Sequence, residues 1–205
     1  MKICYISNSA SPSKNASSLQ TAKMCEYISK SGHEVKLILP DTGIKKNFFK
    51  FYNIRNKFEV LRLRSFKKFP VGIFYYLYSF SAIFNSKPKE QNLYITRNFF
   101  TSLILSILKK KHILEIHDDI LIEGRIVQFL IRYIKILNLR PIVKIITTTN
   151  TLKKKYLSYG VKKNKIYTLH NASSLSTKFY ISKKKKFLRI GYFGSIFKSR
   201  GTEMI

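Results

Sequence analysis

Residues 1–40 read MKICYISNSASPSKNASSLQTAKMCEYISKSGHEVKLILP, and the fold turns on them. An apolar run at 3–6 passes through a polar loop into a stretch where Leu19, Ala22, Cys25 and Ile28 recur at helical spacing. A second apolar run fills 35–39. Ser17 or Ser18 can cap the helix by accepting a backbone hydrogen bond, and Gly32, just past the last periodic residue, suits a left-handed cap. The strands are apolar at consecutive positions, and a helix joins them. A half-exposed antiparallel strand would alternate instead, so the pattern predicts a parallel sheet covered on both faces.

The same alternation continues along the chain. Short apolar runs at 58–63, 93–96, 113–117, 142–147 and 166–169 bring the expected strands to about seven by residue 170, most of them separated by helices. One helix is expected to lie on the sheet through Ile126, Phe129, Leu130, Tyr133, Ile134 and Leu137, leaving Gln128, Arg132 and Lys135 opposite. Another runs from Asn150 through Tyr156 and Leu157 to Gly160. Residues 1–170 therefore read as an α/β, Rossmann-like unit. The Ser- and Lys-rich stretch 171–186 reads as a linker, and 187–205 as the start of a second domain whose strand at 188–193 has no second layer within the chain.

Composition narrows the class. With 45% apolar residues, sixteen Phe and thirteen Tyr, the 205-residue chain can bury enough surface to offset its ordering entropy, which excludes disorder. Cys4 and Cys25 have neither metal-ligand spacing nor disulfide-scaffold density and read as reduced, buried thiols. The amino terminus lacks the features of a signal peptide, so a cytoplasmic location is expected. The apolar stretch 69–84 is too short for a membrane span of about 20 residues.

Thirty-nine Lys and Arg against ten Asp and Glu give a net charge of +29, which attracts anionic membrane, phosphorylated ligands or nucleic acid. The lysines are scattered rather than gathered on one helix with interleaved stacking aromatics, which ranks nucleic acid behind a membrane surface. A bias toward Lys, Ile, Phe and Asn with no partner gives the same picture.

Several segments carry candidate chemistry. The first loop, residues 8–18, has no glycine, which disfavours a dinucleotide, yet open parallel sheets receive ligands at that place. It is either a ligand loop or an ordinary surface loop. Asp41 follows the second strand as a ribose carboxylate would, or as a turn residue. The sequence EIHDD at 115–119, with Glu123, holds four of the chain's ten acids. His117 closes a buried strand with Glu115 on the same face; it either reaches a ligand or is a satisfied histidine beside Asp118 and Asp119 capping a turn. Arg97 can hold a phosphate or neutralise Glu115 or Asp118. In IGYFGSIFKSRG, residues 190–201, glycines and a helix start suit a diphosphate or form a plain strand-to-helix turn. His33, His112, His117 and His170 are dispersed and lack metal-ligand spacing, so no metal or cofactor is expected.

These segments, in order, resemble the group 1 (family 4) GT-B glycosyltransferases. The likeness is carried by GHEV at 32–35, YITRN at 94–98 followed by EIHDD, TTTNTLKKKYLSYGV at 147–161 with KIYTLHNA at 165–172, and the FGS and RG pairs at 193–195 and 200–201. The resemblance implies that His117 approaches the transferred sugar and that the loop with Asn8, Ser9 and Asn15 faces the acceptor. It implies that Arg200, Gly194 and Ser195 meet the donor diphosphate. The frequent paired glycines of the first loop are absent, Ser195 stands where some members carry a second arginine, and the family's donor-binding carboxylate pair would fall beyond Ile205. The implied reaction is retaining transfer from a nucleotide-sugar donor to a glycan or lipid-linked acceptor, with the 205-residue chain alone expected to be inactive. The rival is a non-catalytic basic module that binds anionic membrane or nucleic acid.

Overall fold

Apolar strands and the helices between them assemble into one sheet. The computed structural model of the chain describes residues 1–64, 71–87, 89–120 and 124–171. The strands are β1 (Lys2–Ile6), β2 (Glu34–Pro40), β3 (Glu59–Leu63), β4 (Leu93–Thr96), β5 (His112–Ile116), β6 (Ile142–Thr147) and β7 (Ile166–Thr168). Each falls within a residue or so of its expected run. The helices are α1 (Ala16–Lys30), α2 (Phe48–Phe51), α3 (Val71–Asn85), α4 (Phe99–Ile107), α5 (Arg125–Arg132) and α6 (Asn150–Ser158). All seven strands are parallel in the order β3-β2-β1-β4-β5-β6-β7, the Rossmann-like architecture expected.

Register assigns each helix to a side. Tyr5 lies beside Ile95, and Ile95 beside Ile113, so these three share one face, where Ala22 and Cys25 of α1 pack on them. Cys4, Ile6 and Tyr94 point the other way, onto Tyr78 and Ala82 of α3 and Leu105 of α4. Leu114 and Ile116 continue that second face under Val127 and Ile131 of α5 and Tyr156 of α6. Met1–Asn171 forms a single unit. The expected linker and second-domain start lie outside the described residues.

Two local expectations are corrected. The N-cap of α1 is Asn15, not Ser17 or Ser18, and Asn15 makes no side-chain capping bond. Ser18 is instead buried, its hydroxyl tied to Ser13 Oγ at 2.8 Å and to the Ala10 carbonyl at 3.2 Å, so it holds the preceding loop. The helix lays its small residues Ala22 and Cys25 against the sheet, which lets it pack closely and leaves Leu19 46% exposed. Gly32 does take the left-handed conformation, φ 84°.

The second correction concerns α5. Its buried residues are Val127 and Ile131, while Ile126 is 77% and Tyr133 75% exposed. The helix also stops at Arg132, and the left-handed Lys135 starts a 3₁₀ turn at Ile136–Asn138 that buries Leu137. The apolar residues therefore form two faces, of which the sheet accepts the narrower.

Candidate functional site

The strand order reverses between β1 and β4, and open parallel sheets form a crevice at such a point, outside the carboxyl ends of the strands. Period-two alternation carries three side chains there on the α1 side of the sheet. Arg97 follows Ile95 by two positions, Glu115 follows Ile113 by two, and His117 follows Glu115 by two. Tyr5 comes from β1 on the same face.

Tyr5, Arg97 and His117 converge on one carboxylate oxygen of Glu115. Glu115 Oε2 accepts from the Tyr5 hydroxyl at 2.8 Å and from Arg97 Nε at 2.9 Å, and His117 Nε2 stands 3.4 Å away. Arg97 Nε also meets the Tyr5 hydroxyl at 3.0 Å, and its Nη1 approaches the Ser17 carbonyl at 3.5 Å. The Arg97 and Glu115 side chains are only 10% and 4% exposed, so their ion pair is nearly dry. For His117 to donate to Glu115, Nε2 must carry the ring proton, leaving Nδ1 of the neutral imidazole as an acceptor.

Burial alone would push the Glu115 carboxyl up. The His117 hydrogen bond, the Arg97 charge and the Tyr5 hydroxyl outweigh it and hold the carboxyl below the usual carboxylate range. Burial, then the Glu115 charge, pushes the Tyr5 phenol well above its ordinary value, so it stays a donor. The site thus holds a fixed carboxylate, a paired guanidinium and one partly exposed imidazole.

A cleft of about 400 Å³ opens above this cluster, lined by Asn8, Ser9, Arg97, Glu115 and His117 with Ser17 and Gln20 from the start of α1. Asn8 and Ser9, expected at an acceptor, are therefore beside His117, whereas Asn15 is exposed at the start of α1 and does not line the cleft. Arg97 takes the neutralising role toward Glu115, and its buried Nη2 has no hydrogen-bond partner. Asp119 pairs with Lys155 at 2.6 Å, and Asp41 Oδ1 accepts from the Gly43 amide at 3.1 Å as a turn residue. Gln20 is a cleft group that sequence reading missed, and Tyr5, buried beneath the cleft, went unread because it sat in an apolar run; Ser17 falls within the 8–18 loop read as a ligand loop or a surface loop. Gly194, Ser195, Arg200 and Glu123 lie outside the described residues.

No protein-family model matches the chain, and no curated protein sequence matches it. Solved structures do. A glycosyltransferase from Rickettsia africae is similar with a TM-score of 0.56 at 14% identity, over 82% of this chain and 43% of that one. HepE of Anabaena is similar in its complex with UDP-glucose (TM-score 0.58, 15% identity, 84% of this chain and 44% of that one). Its complex with UDP gives 0.56 at 13% identity, over 84% and 44%. The chain spans less than half the length of these proteins. At such identities the likeness establishes the fold: this Rossmann-like sheet is shared with part of a glycosyltransferase and with part of a protein solved holding UDP-glucose.

Proposed function

We propose that the chain is the acceptor-side part of a nucleotide-sugar-dependent glycosyltransferase of the group 1 kind, which transfers a sugar with retention to a glycan or lipid-linked acceptor. The observation that carries this reading is the convergence of His117, Arg97 and Glu115 beneath a cleft at the point where strand order reverses. The likeness to a glycosyltransferase and to a protein solved with UDP-glucose supports it.

In this reading Glu115 fixes the orientation and tautomer of His117, whose Nδ1 accepts from a hydroxyl of the transferred sugar. Asn8 and Ser9 offer polar contacts to the acceptor, and Arg97 offers a guanidinium whose Nη2 is unused. Catalysis is chiefly positioning, with the departing diphosphate stabilised by Arg200 and by the backbone at Gly194 and Ser195. In this reading residues 1–170 form the acceptor-side domain, and a donor-binding domain begins near residue 187. Attachment to an anionic membrane at the cytoplasmic side brings the protein to a lipid-linked acceptor.

The test is a transfer assay with UDP, GDP and ADP sugars on a protein that contains both domains. His117→Ala should lower turnover by about 100-fold or more while leaving the circular dichroism unchanged. Near wild-type turnover rejects the role of His117. Calorimetric titration of the 205-residue chain with the same sugars should show no tight binding, and micromolar affinity would show that the donor site lies within the chain.

A further inference from the structure

The face of the sheet opposite α1 carries a helical layer whose outer surface is apolar. On α3, Ile73, Leu77, Phe80 and Phe84 recur at intervals of four, three and four, and all are exposed, Phe84 by 83%. These are not the residues that hold α3 to the sheet, which are Tyr78, Ala82 and Ile83. Neighbouring α4 packs on α3 through Tyr76 and Phe100, with ring centroids 4.4 Å apart, and ends in exposed Ile107 and Leu108. Phe99 of α4 shares a core cluster with Val127 and Ile131 of α5, whose outer face shows Ile126 and Phe129 and is followed by the exposed Tyr133. The layer buries one apolar face and presents a second.

Charge on the same segments has one sign. Residues 71–87, 99–111 and 124–135 contain Lys87, three lysines at 109–111, Arg125, Arg132 and Lys135, and no Asp or Glu. Glu90, just outside, meets Lys87 at 3.6 Å on the surface. A second copy of this chain would bring two such basic layers together, each on a molecule of net charge +29. Nucleic acid offers the anions but no hydrocarbon for Phe84, Ile126 or Tyr133. A bilayer with anionic headgroups supplies both, since lysine and arginine meet phosphates while aromatic and aliphatic side chains enter the acyl boundary.

We propose that the outer face of α3, α4 and α5 is a peripheral docking surface for an anionic lipid bilayer. This deepens the membrane attachment included in the proposed function, and it does not depend on the transfer chemistry. Tyr5, Arg97 and Glu115, which floor the cleft, project from the sheet face opposite these helices, so the layer rests on lipid without drawing on them.

The test uses the 205-residue chain with phosphatidylcholine vesicles, with and without about one-third phosphatidylglycerol. Flotation with the anionic vesicles, weakening as salt rises, is expected. Because the sequence has no Trp, Phe84→Trp and Phe129→Trp are clean reporters, and both should shift to the blue and be quenched by brominated lipid chains. Tyr27→Trp, exposed on α1 across the sheet, should do neither. Joint reversal of Lys87, Lys109 and Lys111 to Glu should weaken binding roughly 100-fold, whereas reversal of Lys30, Lys45 and Lys57 should cost less than about threefold. His117→Ala should bind vesicles like the parent, which separates this surface from the catalytic reading. No flotation, binding to oligonucleotides but not vesicles, equal response of Tyr27→Trp, or equal loss from the two lysine triples would each overturn the proposal.

Discussion

Tyr5 and Glu115 stand 110 positions apart in sequence and meet at 2.8 Å, phenol to carboxylate, across the strand that separates β1 from β5. Arg97 comes from that intervening strand and closes the triangle, at 2.9 Å to the carboxylate and 3.0 Å to the phenol. The floor of the cleft is therefore a buried polar knot rather than apolar packing. Such a knot stabilises only when every partner is present.

Removing its members should have graded effects. Tyr5→Phe deletes the hydroxyl that donates to Glu115 and accepts from Arg97, and should lower unfolding free energy by about 2 kcal/mol. Glu115→Gln leaves the Arg97 guanidinium buried without a counter-charge and should cost more, about 3 kcal/mol or above. Urea denaturation of the two variants checks the order, and a Tyr5→Phe loss larger than that of Glu115→Gln would contradict it.

Acid sensitivity should come first from His112, well away from the cleft. Its Nδ1 lies 2.9 Å from the Lys110 carbonyl, which can only accept, so Nδ1 carries the proton and Nε2 accepts from Ser102 Oγ at 2.8 Å. Burial pulls its pKa down to about 4. Below its unfolded value of about 6.5 the unfolded chain takes up a proton that the folded chain refuses, so stability is complete above that pH and falls until the folded pKa is passed. Between pH 7.5 and pH 5 the loss should be about 2 kcal/mol, and His112→Gln should remove that slope. Glu115, whose carboxyl is held below its ordinary range, stays ionised across this window and loses its contribution only at lower pH.

Two asparagines at helix starts should behave differently. Asn98 accepts from the Phe100 amide at 2.8 Å and the Thr101 amide at 3.3 Å, capping α4 directly after Arg97. Asn98→Ala should cost about 1–2 kcal/mol. Asn15→Ala, which breaks no side-chain cap of α1, should stay within about 0.5 kcal/mol. Thermal melts compare them directly, and an equal loss would show that Asn15 is held by more than its backbone.

Lys165 acts as a clasp near the far edge of the sheet. Its Nζ donates to the carbonyls of Asn138, Leu139 and Ile142 at 3.0, 2.8 and 2.9 Å, tying the segment after α5 to the start of β6. Lys165→Met keeps the stem and strands these acceptors, so a loss of about 2 kcal/mol is expected. Hydrogen exchange should quicken at residues 138–142 before the rest of the sheet, and uniform exchange would mean that the clasp is dispensable.

Sequence alone determined the sheet. Consecutive apolar runs separated by helical stretches leave few arrangements other than parallel strands with helical crossovers, and each strand formed within a residue or so of its run because burial on both faces demands an unbroken apolar segment. The side-by-side placement of Glu115 and His117 was legible too, since alternation along one strand is local. What a helix shows to the sheet was legible in α1 for Ala22, Cys25 and Ile28 but not for Leu19, and was not legible in α5. Both carry apolar residues beyond what one face needs, and packing chose Ala22 with Cys25, and Val127 with Ile131, over Leu19, Ile126 and Phe129. Only the tertiary structure could bring Tyr5, Arg97 and Glu115 to one oxygen, because the distance between them depends on strand order, and strand order leaves no periodic mark in the chain.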